Sequence, residues 1–363
     1  MAETTKIEWT HHTFNPWRSC EHARLPDGSE HPGCANCYAE AMSRRNPKVL
    51  GVWGPQGTRV VAAESQWKAV ERWNREAGEA GERHRVFCAS LADVFEDWTG
   101  PMVDAQRRVL HKAADWSVKG QEWIPVQGVS LGRSQITMSD VRARLFRLID
   151  SCPNLDFLLV TKRPENVRRM WPTEDDGAGG RLANAIFGRS GRLVKHRQNV
   201  WLLTSVSDQQ TADAMIPPLL QCRDLVPVLG ISAEPLIGPI HVEPWLTREY
   251  EPTEDYAAFR GLDWVIVGGE SGSGARPCRV DWIRSIVDQC RRAEVPVFVK
   301  QLGANAYGVI TDQPHAFNHG FDRLPHGTMP ENESRLIVSD PKGGDQAEWP
   351  DDLRVRQFPE VPQ

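Results

Sequence analysis

The sequence predicts an α/β fold built on a parallel sheet, and three observations predict it. Short apolar runs recur along the chain, stretches with helical periodicity separate them, and each run closes on polar residues of chemically useful type.

The runs are residues 86–91, 157–160, 200–203, 225–231, 264–267 and 295–299. Each is continuous rather than alternating and rich in β-branched or aromatic residues, which suits strands buried on both faces. Between them lie three predicted helices. Residues 104–116 carry apolar side chains on one face. Residues 139–149 open on a Ser-Asp cap and bring Val141, Leu145, Leu148 and Ile149 together. Residues 280–293 space Trp282, Ile283, Ile286 and Val287 helically. Trp67, Trp73 and Trp264 read as core. Residues 77–84 read as a charged, glycine-containing loop, residues 119–137 as a Gly/Ser/Gln-rich insertion, and the chain beyond Gly303 as irregular.

The strand ends form the second regularity. Asp93 follows the first run, and Thr161, Lys162 and Arg163 the next; then come Ser205, Ser207 and Asp208, then Glu234, then Gly268, Gly269, Glu270 and Ser271, and last Lys300 and Gln301. In α/β barrels the ligand site is built from the carboxyl ends of the strands, so these residues predict a shared mouth. Gly268 and Gly269 would let a ligand approach the backbone closely. Glu270 would accept hydrogen bonds from it, and Glu234 with Glu270 also has the makings of an acid/base pair.

With 363 residues, 40% hydrophobic and 25% charged, the chain suits one large core or two ordinary domains and is not of disordered composition. The net charge of −5 argues against a protein that coats nucleic acid. A local basic rim is still available from Arg189, Arg192, Lys195, His196 and Arg197 with Lys162, Arg163, Arg168 and Arg169. No apolar stretch approaches the ~20 residues of a spanning helix. The N-terminus MAETTKIEWTHH lacks the layout of a signal peptide, so a cytoplasmic location is expected.

Five of the eight cysteines, at 88, 152, 222, 278 and 290, are scattered singly and read as small buried hydrophobes. The other three form Cys20-x13-Cys34-x2-Cys37. A C-x2-C pair puts two sulfurs on one tight turn, and a third cysteine completes a three-thiolate site. Three cysteines on a [4Fe–4S] cluster leave one iron without a protein ligand. Zinc is the rival, since Cys3His sites are common and His11, His12, His22 and His31 lie close by, with Cys88 as another fourth ligand. Spacing alone leaves both open.

The runs GCANCYAE, SLADVFEDW, VTKRPENV and ISAEPLIGP, the block WVIVGGESGSGARP with VKQLG, and the closing KGGDQAEWPDDLRVRQFP resemble a phage-associated family of three-cysteine-motif proteins, over a span from Thr5 to Pro359. That family is similar to radical-SAM enzymes such as the spore photoproduct lyases. This chain departs from their commonest spacing, C-x3-C-x2-C, in its thirteen-residue first gap, EHARLPDGSEHPG.

The resemblance implies a TIM-barrel-like fold, partial or full, over residues 1–303, with a cluster loop at 15–40 and the insertion at 119–137. Residues 304–363 would be an irregular C-terminal extension packed on the barrel. Cys20, Cys34 and Cys37 would hold a [4Fe–4S] cluster. Tyr38, Asp93, Ser205, Gly268, Gly269 and Glu270 would bind the cofactor S-adenosylmethionine, and Lys162, Glu234 and Lys300 would be catalytic. The implied reaction is hydrogen abstraction from a nucleic-acid-derived substrate. In its most specific form it is isomerisation of a glycyl-modified thymine in phage DNA, which hides the genome from host restriction; a lyase reaction on thymine damage is the sister form. Partners would be DNA or a nucleotide, an external electron donor and other modification enzymes in the host cytoplasm, with no membrane. The alternatives are a zinc-dependent hydrolase or lyase using Glu234 and Glu270, and a non-catalytic binding module with a structural zinc.

Overall fold

The computed structural model describes residues 5, 7–112, 124–125, 135–172, 195–246, 261–309, 321–322, 333–336 and 338–360. The chain divides into two compact units, one of residues 1–23, 37–201 and 224–227 and the other of residues 24–36, 202–223 and 228–363. A seven-stranded sheet follows the order of the chain. Among the described residues no helix is long and apolar enough to cross a membrane.

The first unit holds β1 (His12–Phe14), β2 (His84–Cys88), β3 (Leu155–Thr161) and the start of β4 (Val200–Val206). β1 runs parallel to β2 with Phe14 opposite Cys88, and β2 parallel to β3 with Cys88 opposite Leu159. The apolar run of β3 is buried as its continuity predicts. β1 was not expected, because His-Thr-Phe is too short and too polar to stand out. Its Phe14 is nonetheless fully buried, edge-on to Trp67.

Among the described residues the helices of this unit are α1 (Tyr38–Arg45), α2 (Pro47–Leu50), α3 (Glu64–Ala80), α4 (Met138–Ser151) and α5 (Pro164–Met170). α4 starts at a reciprocal cap between Thr137 and Asp140 and buries Val141, Leu145, Leu148 and Ile149, the predicted stripe. α3 buries Trp67, Val70, Trp73 and Ala77, and Gly81 closes it in the left-handed conformation at φ 68°. The helix therefore runs four residues into the stretch predicted as a loop, because Ala77 completes the Trp67/Val70/Trp73 face.

The helix predicted over 104–116 does not form across 104–112. Asp104 accepts from the backbone of Gln106 and Arg108, Arg107 turns at φ 66°, and Leu110–His111 is a strand paired with Ile124–Pro125. The local aspartate turn outcompetes the helical ladder. Residues 113–116, and residues 119–123 and 126–134 of the insertion, lie outside the described residues.

The second unit holds the rest of β4, then β5 (Val228–Ala233), β6 (Trp264–Gly268) and β7 (Val297–Gln301), with α6 (Gln209–Leu220) and α7 (Val280–Arg292). β5 and β6 are parallel with Ser232 opposite Ile266, and β6 and β7 are parallel with Ile266 opposite Phe298. α7 buries Ile283, Ile286 and Val287 as predicted.

The C-terminal stretch carries more order than its composition suggests. Short strands at Ala306–Val309, Phe321–Asp322 and Glu333–Leu336 join Cys278–Arg279 in a small sheet. Residues 355–357 then run beside β7, where Val299 N donates to Val355 O and Gln357 N to Val297 O. Polar composition concealed these pairings because they are made by backbone groups.

Candidate functional site

In the first unit, the ends of β2 and β3 bring charged groups around Cys20. Its sulfur is buried and lies 3.7 Å from Arg163 Nη1. The same nitrogen donates to Asp93 Oδ2 at 3.0 Å, and Arg163 Nη2 donates to the carbonyl of Glu21 at 3.0 Å. Asp93 also accepts from the Thr161 hydroxyl and from the backbone of Phe95 and Lys162. Both of its oxygens thus accept bonds that tie the segment after β2 to the turn after β3.

Behind it, Glu96 accepts from the backbone of Glu21 at 2.9 Å and from Arg59 at 2.6 and 2.7 Å. Burial and the Glu96 and Asp93 carboxylates push the Cys20 thiol well up, while Arg163 and Arg59 act in the opposite direction. Cys37 is half-buried at the start of α1, where its carbonyl accepts from Ala41. Tyr38, largely exposed, donates its hydroxyl to the carbonyl of Ser90, just past β2.

In the second unit, Cys34 closes a single turn, Pro32–Cys34, and is buried. His31 orients that turn. Its Nδ1 accepts from Gly33 N at 3.0 Å, and its Nε2 donates to the carbonyl of Ser205 at 3.2 Å. Ser205 is thereby placed beside the cysteine turn through its backbone.

Glu270 belongs to the same neighbourhood. Its Oε2 accepts from Asn36 Nδ2 at 3.1 Å and from Arg276 N and Nε, and its Oε1 accepts from Arg276 Nη2 at 2.7 Å. Arg276 Nη1 reaches on to the carbonyl of Pro32 at 3.0 Å. Burial pushes the Glu270 carboxyl up, but the bonds from Arg276 and Asn36 outweigh it and hold the group below the usual carboxylate range.

Elsewhere in this unit Lys300 Nζ lies 3.0 Å from Glu234 Oε1 and 3.2 Å from Oε2, so two predicted catalytic residues do meet. Gly268 leaves room for that carboxylate, since a Cβ there would stand 2.8 Å from Glu234 Oε1. At Gly269 a Cβ would stand 2.2 Å from the carbonyl oxygen of Leu302. Both glycines thus stand in close approach to protein atoms.

Lys162, the remaining predicted catalytic residue, is half-buried next to Arg163, with its backbone held by Asp93. Of the histidines offered to zinc, His31 sits on the Cys34 turn and the other three are engaged elsewhere. His22 meets Glu40 at 2.8 Å, His12 stacks on Trp73 and meets His84 at 3.1 Å, and His11 stacks on His84. All eight cysteines are free thiols, and burial pushes that of Cys88 up. Among the described residues no three His, Cys, Asp or Glu side chains form a group able to hold a metal ion.

The basic rim is largely paired as well: Arg168 with Asp224, Arg169 with Asp97, and Lys195 and Arg197 with Asp150. Arg189 and Arg192 lie outside the described residues. The sequence does not single out Asn36, Arg59, Glu96 and Arg276, whereas it offers Arg163 twice, at a strand end of the predicted mouth and in that rim. The only signal was position, since Asn36 stands between two cysteines and Arg276 ends the motif GGESGSGAR.

One family model matches the chain, over residues 4–113 and 102–330, and is described as a protein of unknown function, DUF5131. No curated protein and no solved structure matches.

Proposed function

The chain belongs to the DUF5131 family of proteins of unknown function, and within it we propose a radical-SAM enzyme acting on a nucleic-acid-derived substrate. The observation that carries the reading is the surrounding of Cys20, a free thiol beside a guanidinium at the ends of two strands. A guanidinium beside the sulfur would serve a metal-bound thiolate, and the same guanidinium also pairs with Asp93. In donor type the three free thiols suit a three-thiolate cluster, and Cys20, Cys34 and Cys37 would hold it, although they form no metal-holding group among the described residues.

Such a cluster supplies one-electron reductive cleavage of S-adenosylmethionine, and through it hydrogen abstraction. This chain's own residues bind and orient. Arg163 balances charge at Cys20, His31 and Arg276 hold the Cys34 turn, and the Glu234–Lys300 pair offers a proton-handling carboxylate and ammonium. The alternative acid/base pair, Glu234 with Glu270, is disfavoured, because Glu270 already accepts bonds from Arg276 and Asn36 on both oxygens.

The parallel pairing of the strands and their polar ends support a partial barrel as the finer description of the sheet. The substrate proposal, glycyl-modified thymine in DNA, rests on the family resemblance in the motifs. An electron donor and partner modification enzymes come with it.

Anaerobically purified protein should contain iron and sulfide, absorb in the visible, and cleave S-adenosylmethionine under reduction. Stoichiometric zinc, with no cleavage after reconstitution, would overturn the proposal. Mass spectrometry of nucleosides from DNA co-expressed with the enzyme should show the isomerised base, and unchanged nucleosides would reject the substrate.

A further inference from the structure

Each unit contains the same device: a carboxylate after a strand, an arginine paired with it, and a donor nitrogen of that arginine on a carbonyl in a cysteine segment. In the first unit the chain of contacts is Asp93 to Arg163 to the Glu21 carbonyl, at 3.0 Å for each contact, with the Cys20 sulfur 3.7 Å from the same guanidinium. In the second it is Glu270 to Arg276 to the Pro32 carbonyl, at 2.7 and 3.0 Å, and Glu270 also takes the Asn36 amide. Charged hydrogen bonds in a forked geometry hold orientation better than neutral ones.

We infer that Arg163 and Arg276 are positioning residues, each setting the conformation of one cysteine: Arg163 that of Cys20 and Arg276 that of Cys34. Glu270 then acts on the cysteine turn, not on a cofactor, and the run GGESGSGAR serves as its brace. The inference deepens the reading of the cysteines as ligands. Its test needs no metal, so the two can fail separately.

The experiment is alkylation of metal-free, full-length protein by iodoacetamide, followed cysteine by cysteine by mass spectrometry. Cys34 and Cys20 are buried and react only through local opening, whereas Cys37 is half-exposed and serves as the fast reference. Arg276→Gln should speed Cys34 by roughly tenfold or more and leave Cys20 unchanged, and Arg163→Gln should do the reverse. Arg276→Lys and Arg163→Lys should recover part of the protection, since lysine keeps the charge but not the fork. The buried Cys88, Cys152, Cys222, Cys278 and Cys290 report general loosening. Equal acceleration at every buried cysteine, or no acceleration at the paired one, overturns the inference. Iron-free protein with the selective pattern would reject the cluster and keep the braces. Iron-loaded protein without that pattern would do the opposite.

Discussion

Arg59 and Glu96 meet with no exposure to water on either side, their guanidinium and carboxylate joined by bonds of 2.6 and 2.7 Å. Arg59 also lies 4.0 Å from the centre of the Trp98 ring, and Glu96 accepts from the backbone of Glu21, the neighbour of Cys20. Removing one partner strands a buried charge. Arg59→Met should therefore lower unfolding free energy by about 3–5 kcal/mol in urea titrations, whereas Arg59→Met with Glu96→Leu should cost clearly less. Equal costs would show that the pair's charge is not what matters.

At Gly269 the constraint is steric. Gly269→Ala would force a methyl against the Leu302 carbonyl, and backbone has little freedom to yield. The expected loss is about 3 kcal/mol or more. Gly272→Ala is the control: its methyl meets nothing, and only the backbone at φ 96° is strained, for about 1–2 kcal/mol. Thermal or urea melts of the two variants separate the effects.

Glu234 and Lys300 should behave as a coupled pair. A double-mutant cycle with Glu234→Gln and Lys300→Met should give an interaction energy of about 0.5–3 kcal/mol in stability, since the carboxylate is mostly buried and its ammonium partner adjacent. Additive single effects would separate the two residues and remove the case for their acting together on substrate.

His11 makes stability depend on pH. The residue is exposed as a whole, but its ring stacks on His84; the partial loss of water there, then the charges of Arg85, His84 and His12, lower its pKa from 6.5 to about 4, with Glu82 opposing. The unfolded chain therefore binds this proton more readily than the folded one between those values. Stability contributed above pH 6.5 should decline as pH falls toward 4 and level off below it. His11→Phe should flatten that part of the stability–pH curve. An unchanged slope would assign the dependence to other groups.

Much of the sheet was legible because a strand buried on both faces must be apolar along its whole length. Six of its strands announced themselves that way, while the three residues of β1 were too few and too polar. The polar strand ends were legible as well, but not what they face. Glu270 and Asn36 are 234 positions apart, and Arg163 and Cys20 are 143 apart. No local pattern encodes such pairings. The glycines at 268 and 269 signal close approach, and composition cannot tell a ligand from the carbonyl of Leu302. Asp104 shows the reverse failure, where an apolar face suggested a helix and a side chain bonding its own backbone ended it.

The pairing of residues 355–357 with β7 also bears on the order in which the molecule can be finished during synthesis. β7 is the last strand of the large sheet, and the segment that satisfies its outer backbone groups is made more than fifty residues later. Until those residues leave the ribosome, the nascent protein carries an open strand of sequence VFV, the kind of edge that recruits other chains. The late segment therefore closes that edge within the molecule, and a chain cut short before residue 355 should aggregate more readily than the full one.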